Sequence, residues 1–514
     1  VLHSARVAIE DAELWRAGTC CRPLRVSVVH NSVFRNSRVL CFALLASAVA
    51  LSGCTVGPDY RGAPDVTGVT GHGNAFVRAP TEGTTVTRAP DQWWAALGDA
   101  QLSALIDTAL AHNQNLQAAQ ARLRESRAQL QQQRADALPT VSADAAAVRT
   151  RKPDLSSLQT SQPSTGHTGQ GPLQLYTAGF DASWEADLFG GTRRAIEAAS
   201  AQADAVDADL ADTQVSLAAE VAQAYINLRD QQQRLALANH SAELEQQTLV
   251  LIQQRRAAGV AGDADVERQT TQVETTRATL IPLDEQITES LDQLAVLTGQ
   301  APGALDRELS APTPLPALPG VVPVDDPATM LQQRPDIRAA ERRLAASNAQ
   351  IGERTADLFP KVTMLGFVGS NAADPGHLGR KSAFTWLGVP YLQWDVLDFG
   401  RTRSGIRQAE ASRDEASARY AQTVLAALQD ANNALSRFGH QRESVTRLQK
   451  VETSADRSAT LMRQRYAAGA SSMIDLLDTQ RTQFSAQQNL VEAQADLLKD
   501  FVSLQKSLGL GWRR

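Results

Sequence analysis

The chain has 514 residues, of which 43% are hydrophobic and only 5% aromatic, and its formal charge is −6. That length permits a large core or several domains, and scarce aromatics beside abundant Ala and Gln favour long, closely packed helices over an aromatic-rich globule. The acidic balance excludes the basic footprint of a nucleic-acid binder.

Arg35 and Arg38 precede an apolar run from Val39 to Ala50, which is followed by Leu51-Ser-Gly-Cys54. About 13 apolar residues fall short of the roughly 20 that span a bilayer as a helix, so 1–53 reads as a signal peptide. Residues 1 to about 32 form a poor n-region, with Glu10, Asp11 and Glu13, and the expected initiation site lies just before Arg35. Leu51-Ser-Gly-Cys54 resembles a bacterial lipobox, which implies diacylglycerol and N-acyl groups on Cys54. Cys20, Cys21 and Cys41 would leave with the signal, so neither a disulfide nor a cysteine-metal site is expected in the mature chain. The removed part carries six basic and three acidic residues, which moves the formal charge to −9.

The rest is a duplication. Leu123, Ser126, Gln129, Asp136 and Pro139 line up with Leu344, Ser347, Gln350, Asp357 and Pro360. Further on, Trp184, Phe189, Gly190, Thr192 and Arg193 match Trp394, Phe399, Gly400, Thr402 and Arg403, and the same spacing carries Gly259 to Gly469 and Asp265 to Asp475. The first copy spans 101–299 and the second 327–509. The proline-rich 300–326 is an irregular crossover between them, 54–100 an N-terminal segment and 510–514 a short tail.

Each copy reads helix, strand, loop, strand, long helix, turn, helix. A helix over about 104–137 stops at Pro139, which cannot continue it. A hairpin follows over about 140–187, with a Gly/Ser/Thr/Pro loop at 151–172. On its second strand Tyr176, Ala178, Phe180, Ala182 and Trp184 alternate with Thr177, Gly179, Asp181, Ser183 and Glu185. The second copy repeats this over about 361–397 with Phe384, Trp386, Tyr391 and Trp394. Amphipathic hairpins with such aromatics are what a membrane β-barrel uses, and all seven aromatics (Tyr176, Phe180, Trp184, Phe384, Trp386, Tyr391, Trp394) are expected at lipid or its interface. Thr192 and Thr402 are candidate caps for long helices that run without internal proline to Ala258 and Ala468, roughly 100 Å each at about 1.5 Å per residue. The shorter helices, about 104–137 and 264–298, together match that length. Tips at about 257–265 and 467–475 carry Gly259 and Gly469 as expected C-caps.

Four strands cannot close a barrel, because open edges leave backbone groups unsatisfied in lipid and bacterial barrels begin at about eight strands. Three chains would supply twelve strands and twelve helical columns around a hollow axis. No HxxxH or HExxH spacing, nucleophile elbow or phosphate loop is present, so no catalytic residue, metal ligand or cofactor site is expected.

In this order, Cys54-Thr-Val-Gly-Pro-Asp-Tyr60, Trp93-Trp94-Ala-Ala-Leu-Gly-Asp-Ala-Gln-Leu102, Asn113-Gln-Asn-Leu-Gln-Ala-Ala, Arg334-Pro-Asp-Ile-Arg338 and Leu508-Gly-Leu-Gly-Trp512 resemble the TolC-like outer-membrane efflux channels, in their OprM-type lipoprotein (NodT) branch. The resemblance implies a homotrimer with a 12-stranded β-barrel, a 12-helix periplasmic α-barrel and a mixed equatorial region that includes 54–100. It places the protein in the outer membrane of a Gram-negative bacterium, lipid-anchored and reaching into the periplasm. It implies docking onto a periplasmic adaptor and a proton-driven inner-membrane pump of the RND type, for export of drugs or other small toxic solutes, with no catalysis and no cofactor. Type I protein secretion, and a non-channel periplasmic helical scaffold, are the alternatives.

By the same resemblance Asp475 and Asp478 guard the periplasmic entrance, Tyr466 belongs to a tip network partnered by Asp265, and the tips at Gly259, Val260, Gly469 and Ala470 meet the adaptor. Two departures stand out: the arginine that partners this tyrosine in TolC itself would fall at Ser471, and Ala264 replaces a hydroxyl residue. Ser472 and Asp475 also have the S-x-x-D spacing of a capping box, and Asp263 could cap its own helix.

Overall fold

The structure, a computed structural model, describes residues 55–64, 75–80, 83–150 and 173–512. The signal peptide, Cys54 and the loop 151–172 lie outside the described residues. No described helix is long and apolar enough to cross a membrane.

The first copy comprises α1 (Ala100–His112), α2 (Gln114–Asp136), β2 (Thr140–Thr150), β3 (Leu173–Ala186), α3 (Gly191–Ala257), α4 (Asp263–Ala278) and α5 (Leu280–Leu297). The crossover holds α6 (Asp306–Leu309) and β4 (Val322–Val324), which pairs in parallel with β1 (Thr84–Val86). The second copy comprises α7 (Pro327–Gln333), α8 (Pro335–Ala356), β5 (Lys361–Ala372), β6 (Phe384–Gln393), α9 (Arg401–Ala467) and α10 (Met473–Ser507).

The two long helices α3 and α9 have 67 residues each, about 100 Å by the α-helical rise. The first helix of the chain breaks at Asn113, whose side chain accepts from Leu116 N and caps α2. The expected single helix over 264–298 is interrupted at Thr279, because Pro282 has no N–H for the carbonyl four residues earlier. Its counterpart α10 has no proline and runs unbroken for 35 residues.

Thr192 and Thr402 do not cap the long helices. Gly190 and Gly400, both left-handed, stand at the N-caps, and carboxylates supply the acceptors: Asp187 takes Arg193 N at 2.9 Å, and Asp398 takes Gly400 N at 2.9 Å and Thr402 N at 2.7 Å. A carboxylate answers the positive helix end better than a hydroxyl. The Thr402 hydroxyl first, and then these backbone N–H groups, hold Asp398 down at about 2.

The equatorial core packs Trp93, Trp94, Leu102, Ile106, Tyr225, Leu294, Phe438 and Phe501. Trp93 meets Trp94 and Phe501 edge to face at 5.6 and 5.9 Å. Arg229, fully buried on α3, stacks on Tyr225, bonds Gln101 and Gln232, and reaches the crossover carbonyls of Leu309 and Ala311 at 3.4 and 3.0 Å. Arg334 pairs with Asp336 through two bonds and donates to Ser507 O at 2.6 Å, tying α8 to the end of α10.

Candidate functional site: sheet, junction and tips

Strands β2, β3, β5 and β6 form one antiparallel sheet in that order, without a bulge in the register. Directly paired residues share a face and neighbours along a strand alternate. One face therefore carries Val141, Ala143, Tyr176, Phe180, Ala182, Trp184, Met364, Val368, Phe384, Trp386 and Leu392, and the row Ala143–Phe180–Val368–Trp386 crosses all four strands. Phe180 and Trp386 are 61% and 73% exposed. The other face carries Ser142, Asp144, Thr177, Asp181, Ser183 and Glu185 on β2 and β3, then Leu365, Phe367, Leu387 and Val389 on β5 and β6. Tyr391 lies on this second face, opposite to Phe384 and Trp386, because its odd position in β6 inverts its direction.

Trp184 and Trp394 serve a second purpose. The Trp184 indole donates to Ala137 O, and the Trp394 indole, just beyond β6, donates to Leu358 O, both at 3.0 Å. Each acceptor sits two residues before the proline that ends the preceding helix, so each indole satisfies a helix-end carbonyl and pins the sheet to the helices. Sequence periodicity missed this joint, although the matched Trp and Pro positions of the two copies were its signal.

The chain just after Cys54 is seated at the same level. Val56 N donates to Phe189 O at 3.1 Å, Asn348 donates to Pro58 O at 2.9 Å and Tyr60 donates to Glu341 at 2.9 Å. The buried Arg194 guanidinium bonds Asp59 at 2.5 Å and Glu197 at 2.7 Å. Gly57, at φ 88°, lies so close to Gly352 that a Cβ would come within 2.4 Å of its Cα. This strap holds 55–60 against α3 and α8 where the sheet gives way to helix.

At the opposite end, α3 turns into α4 and α9 into α10 through matching left-handed glycines, Gly259 and Gly469, both at φ 72°. Val260 N donates to Arg255 O at 2.9 Å and Ala470 N to Arg465 O at 2.8 Å, the six-to-one bond of a Schellman cap. No atom would crowd a Cβ at either glycine, so the backbone angle alone calls for glycine there. Val260 is 75% exposed at the apex.

Asp475 closes a capping box: its N–H donates to Ser472 Oγ at 3.2 Å, while its carboxylate takes Ser472 N at 3.1 Å. The Ser472 hydroxyl, which donates to the carboxylate at 2.7 Å, and then the Ser472 N–H hold its pKa below the usual aspartate value. Asp265 performs the carboxylate half of the same device on Gly262 N at 3.2 Å and lies 3.8 Å from Arg268. Asp263 is not the cap; it occupies the first helical turn and pairs with Arg256 across the tip. Among the described residues Tyr466 makes no hydrogen bond to Asp265, whose carboxylate takes Gly262 N instead. Its ring is buried with Ile252, Met473, Leu476 and Leu477, under the Arg255 guanidinium at 4.8 Å. Ser471 Oγ is buried without a hydrogen-bond partner. Asp478 is exposed one turn beyond the cap, and among the described residues its carboxylate takes no partner.

The family model for outer membrane efflux proteins matches residues 105–300 and again 327–510, one match per copy. The antibiotic efflux pump outer membrane protein ArpC of Pseudomonas putida is 30% identical over 471 residues, 91% of this chain and 95% of that protein. Outer membrane protein OprJ of Pseudomonas aeruginosa is 30% identical over 473 residues with the same coverage of 91% and 95%. Among solved structures, the outer-membrane channel OprN aligns at TM-score 0.81 with 35% identity over 89% of this chain and 100% of that one. The open state of the MtrE outer membrane channel of Neisseria gonorrhoeae aligns at 0.76 with 28% identity over 90% and 99%. A mostly helical duplicated chain, carrying a sheet with a continuous apolar face, thus belongs to the outer membrane efflux protein family.

Proposed function

We propose that three copies of this chain form the outer-membrane channel of a tripartite efflux pump, a passive conduit from adaptor and pump to the cell exterior. The observation that carries the reading is the unfinished sheet. Its apolar face suits lipid, yet β2 and β6 have open edges, which no bilayer tolerates. Three such sheets give twelve strands, comfortably above the smallest bacterial barrels of about eight.

The helices support the same closure. Within one chain α8 packs between α3 and α9, whereas α2 packs chiefly on α3. Over 194–208, α3 buries Arg194 and five alanines; over 401–419, α9 buries nothing. Phe189 stacks on Phe359 at 4.6 Å, but their counterparts Phe399 and Leu138 are 93% and 63% exposed. A second copy would bring its Leu138 to Phe399 and its α2 to the bare first turns of α9, repeating between chains the contact made within one.

In this reading the tips at Gly259, Val260, Gly469 and Ala470 meet a periplasmic adaptor, and Asp478 is the acid free to guard the entrance. Asp475, committed to its cap, has the smaller part. Cys54 carries the lipid, and the strap over 55–60 supports this by seating the following residues beside the end of β3, at the level of the inner leaflet. The pump is of the proton-driven RND type and the cargo is drugs or other small toxic solutes. The protein contributes no catalysis and no cofactor. Planar-bilayer conductance of the purified mature protein, with its mass in detergent, tests the reading: single-channel steps from a trimer are expected. A monomer, or silent bilayers, overturns it.

A further inference from the structure

Between the equatorial core and the tips, Glu245 of α3 is 3% exposed. Its counterpart in the second copy is Ala455, also buried, so packing at this level does not require a carboxylate. Glu245 Oε1 accepts from Gln272 Nε2 at 3.0 Å, and Gln269 Nε2 donates to the Glu245 carbonyl at 2.8 Å. The other end of the Gln272 amide, Oε1, accepts from Arg481 Nε at 2.5 Å. Glu245, Gln269 and Gln272 belong to the hairpin of α3 and α4, whereas Arg481 belongs to α10 in the second hairpin. A carboxylate, an amide and a guanidinium therefore run in line across the seam between the two hairpins.

An amide with an anion at its N–H end and a cation at its oxygen is held in one orientation, because either charge alone would favour the same alignment. Two acceptor atoms in this buried cluster, Glu245 Oε2 and Gln269 Oε1, have no hydrogen-bond partner. An idle buried carboxylate oxygen costs stability, and a proton is the cheapest way to relieve it. From α10, Arg481 is the charged group that faces Glu245; α4 presents Gln269, Gln272 and Thr276, and α3 itself Ser241, none of which titrates. Burial pushes the Glu245 pKa up, against the pull of those hydrogen bonds and of Arg481.

We propose that Glu245 is a proton-sensitive tether between the two hairpins: ionised, it holds Gln272 toward Arg481, and on taking a proton from water it relaxes that hold. The hairpin contact stands on its own geometry, while its consequence for opening the tunnel rests on the channel reading. Because the folded-state pKa is raised, the folded chain binds a proton that the unfolded chain releases, so acidification favours packing of α3 on α4 while weakening the link to α10.

Hydrogen–deuterium exchange of the full-length protein in detergent tests this, with native, Glu245→Gln and Arg481→Gln compared at the same pH so that intrinsic exchange rates cancel. At alkaline pH both variants should exchange severalfold faster than native across 473–487, and as the pH is lowered native and Glu245→Gln should converge. Equal exchange of native and Glu245→Gln at the higher pH, or a difference that does not change with pH, overturns the proposal. Arg481 is exposed, so Arg481→Gln tests the far end of the relay without disturbing the buried site. Loss of conductance with this exchange pattern intact would count against the channel reading and leave the tether standing.

Discussion

Tyr466 offers the sharpest separation between a packed tip and a hydrogen-bonded lock. The side chain is buried among residues of α3, α9 and α10, with Ala261 and Val266 completing the cluster from the first tip and α4. Tyr466→Ala would leave a cavity that this small group, built on rigid helix ends, can only partly close. Burial of an aromatic ring in such a setting is worth about 3–5 kcal/mol when truncated. Loss of the Arg255 contact, at an open site, adds about 0.5–1 kcal/mol. Tyr466→Phe keeps ring, volume and the Arg255 stacking, and should cost less than about 1 kcal/mol because the hydroxyl makes no bond on which the cluster depends. The assay is single-channel conductance together with hydrogen–deuterium exchange at 252–266 and 462–477. Tyr466→Ala should raise both conductance and tip exchange, and Tyr466→Phe should match native in both. If Tyr466→Phe opened the tip as far as Tyr466→Ala, the hydroxyl would be the working part and the packing account would be refuted.

The two acids at the second tip should part company: Asp478→Asn should weaken block by divalent cations in bilayers and leave thermal stability unchanged, whereas Asp475→Asn should fray the start of α10 in exchange measurements and alter block little. Arg229→Met removes a buried cation that joins α3 to the crossover and leaves the acceptors of Leu309, Ala311, Gln101 and Gln232 without it. A loss of about 1–3 kcal/mol in denaturant titration, from buried acceptors left unsatisfied, with faster proteolysis within 300–326, is the expected outcome, and unchanged proteolysis would count against it. Asp398 has a folded-state pKa held down at about 2 against a usual value of 3.8, so its stabilising effect is complete above the usual value and disappears as pH falls toward 2. Asp398→Asn should therefore lower the melting temperature at neutral pH, and the difference from native should shrink across that acid window.

Much of this protein was written in local pattern. Duplication, Pro139 and Pro360, the two tip glycines and the alternation of β3 all act over a few residues or one repeat, and backbone sterics enforce them wherever they occur. Helix boundaries at Asn113 and Thr279 were less legible, since a single side-chain cap or one proline competes there with a long run of good helix formers. Tertiary packing decided the rest. Trp184 and Trp394 carry aromatic composition suited to lipid, yet their indole N–H groups were claimed by Ala137 and Leu358, which only the folded sheet brings within reach. Tyr391 belongs with the other aromatics by type and on the opposite face by register, because a strand turns over at every residue. Asp265 stands at the first tip, Asp475 and Tyr466 at the second, and each carboxylate is taken by a backbone N–H three residues away rather than by the tyrosine. Glu245 is one of many helical glutamates in the sequence; only burial against α4, with Arg481 arriving from the far hairpin, makes it distinct. Short-range geometry is set by the chain itself, whereas the partner a polar group finds depends on which distant segment is packed beside it.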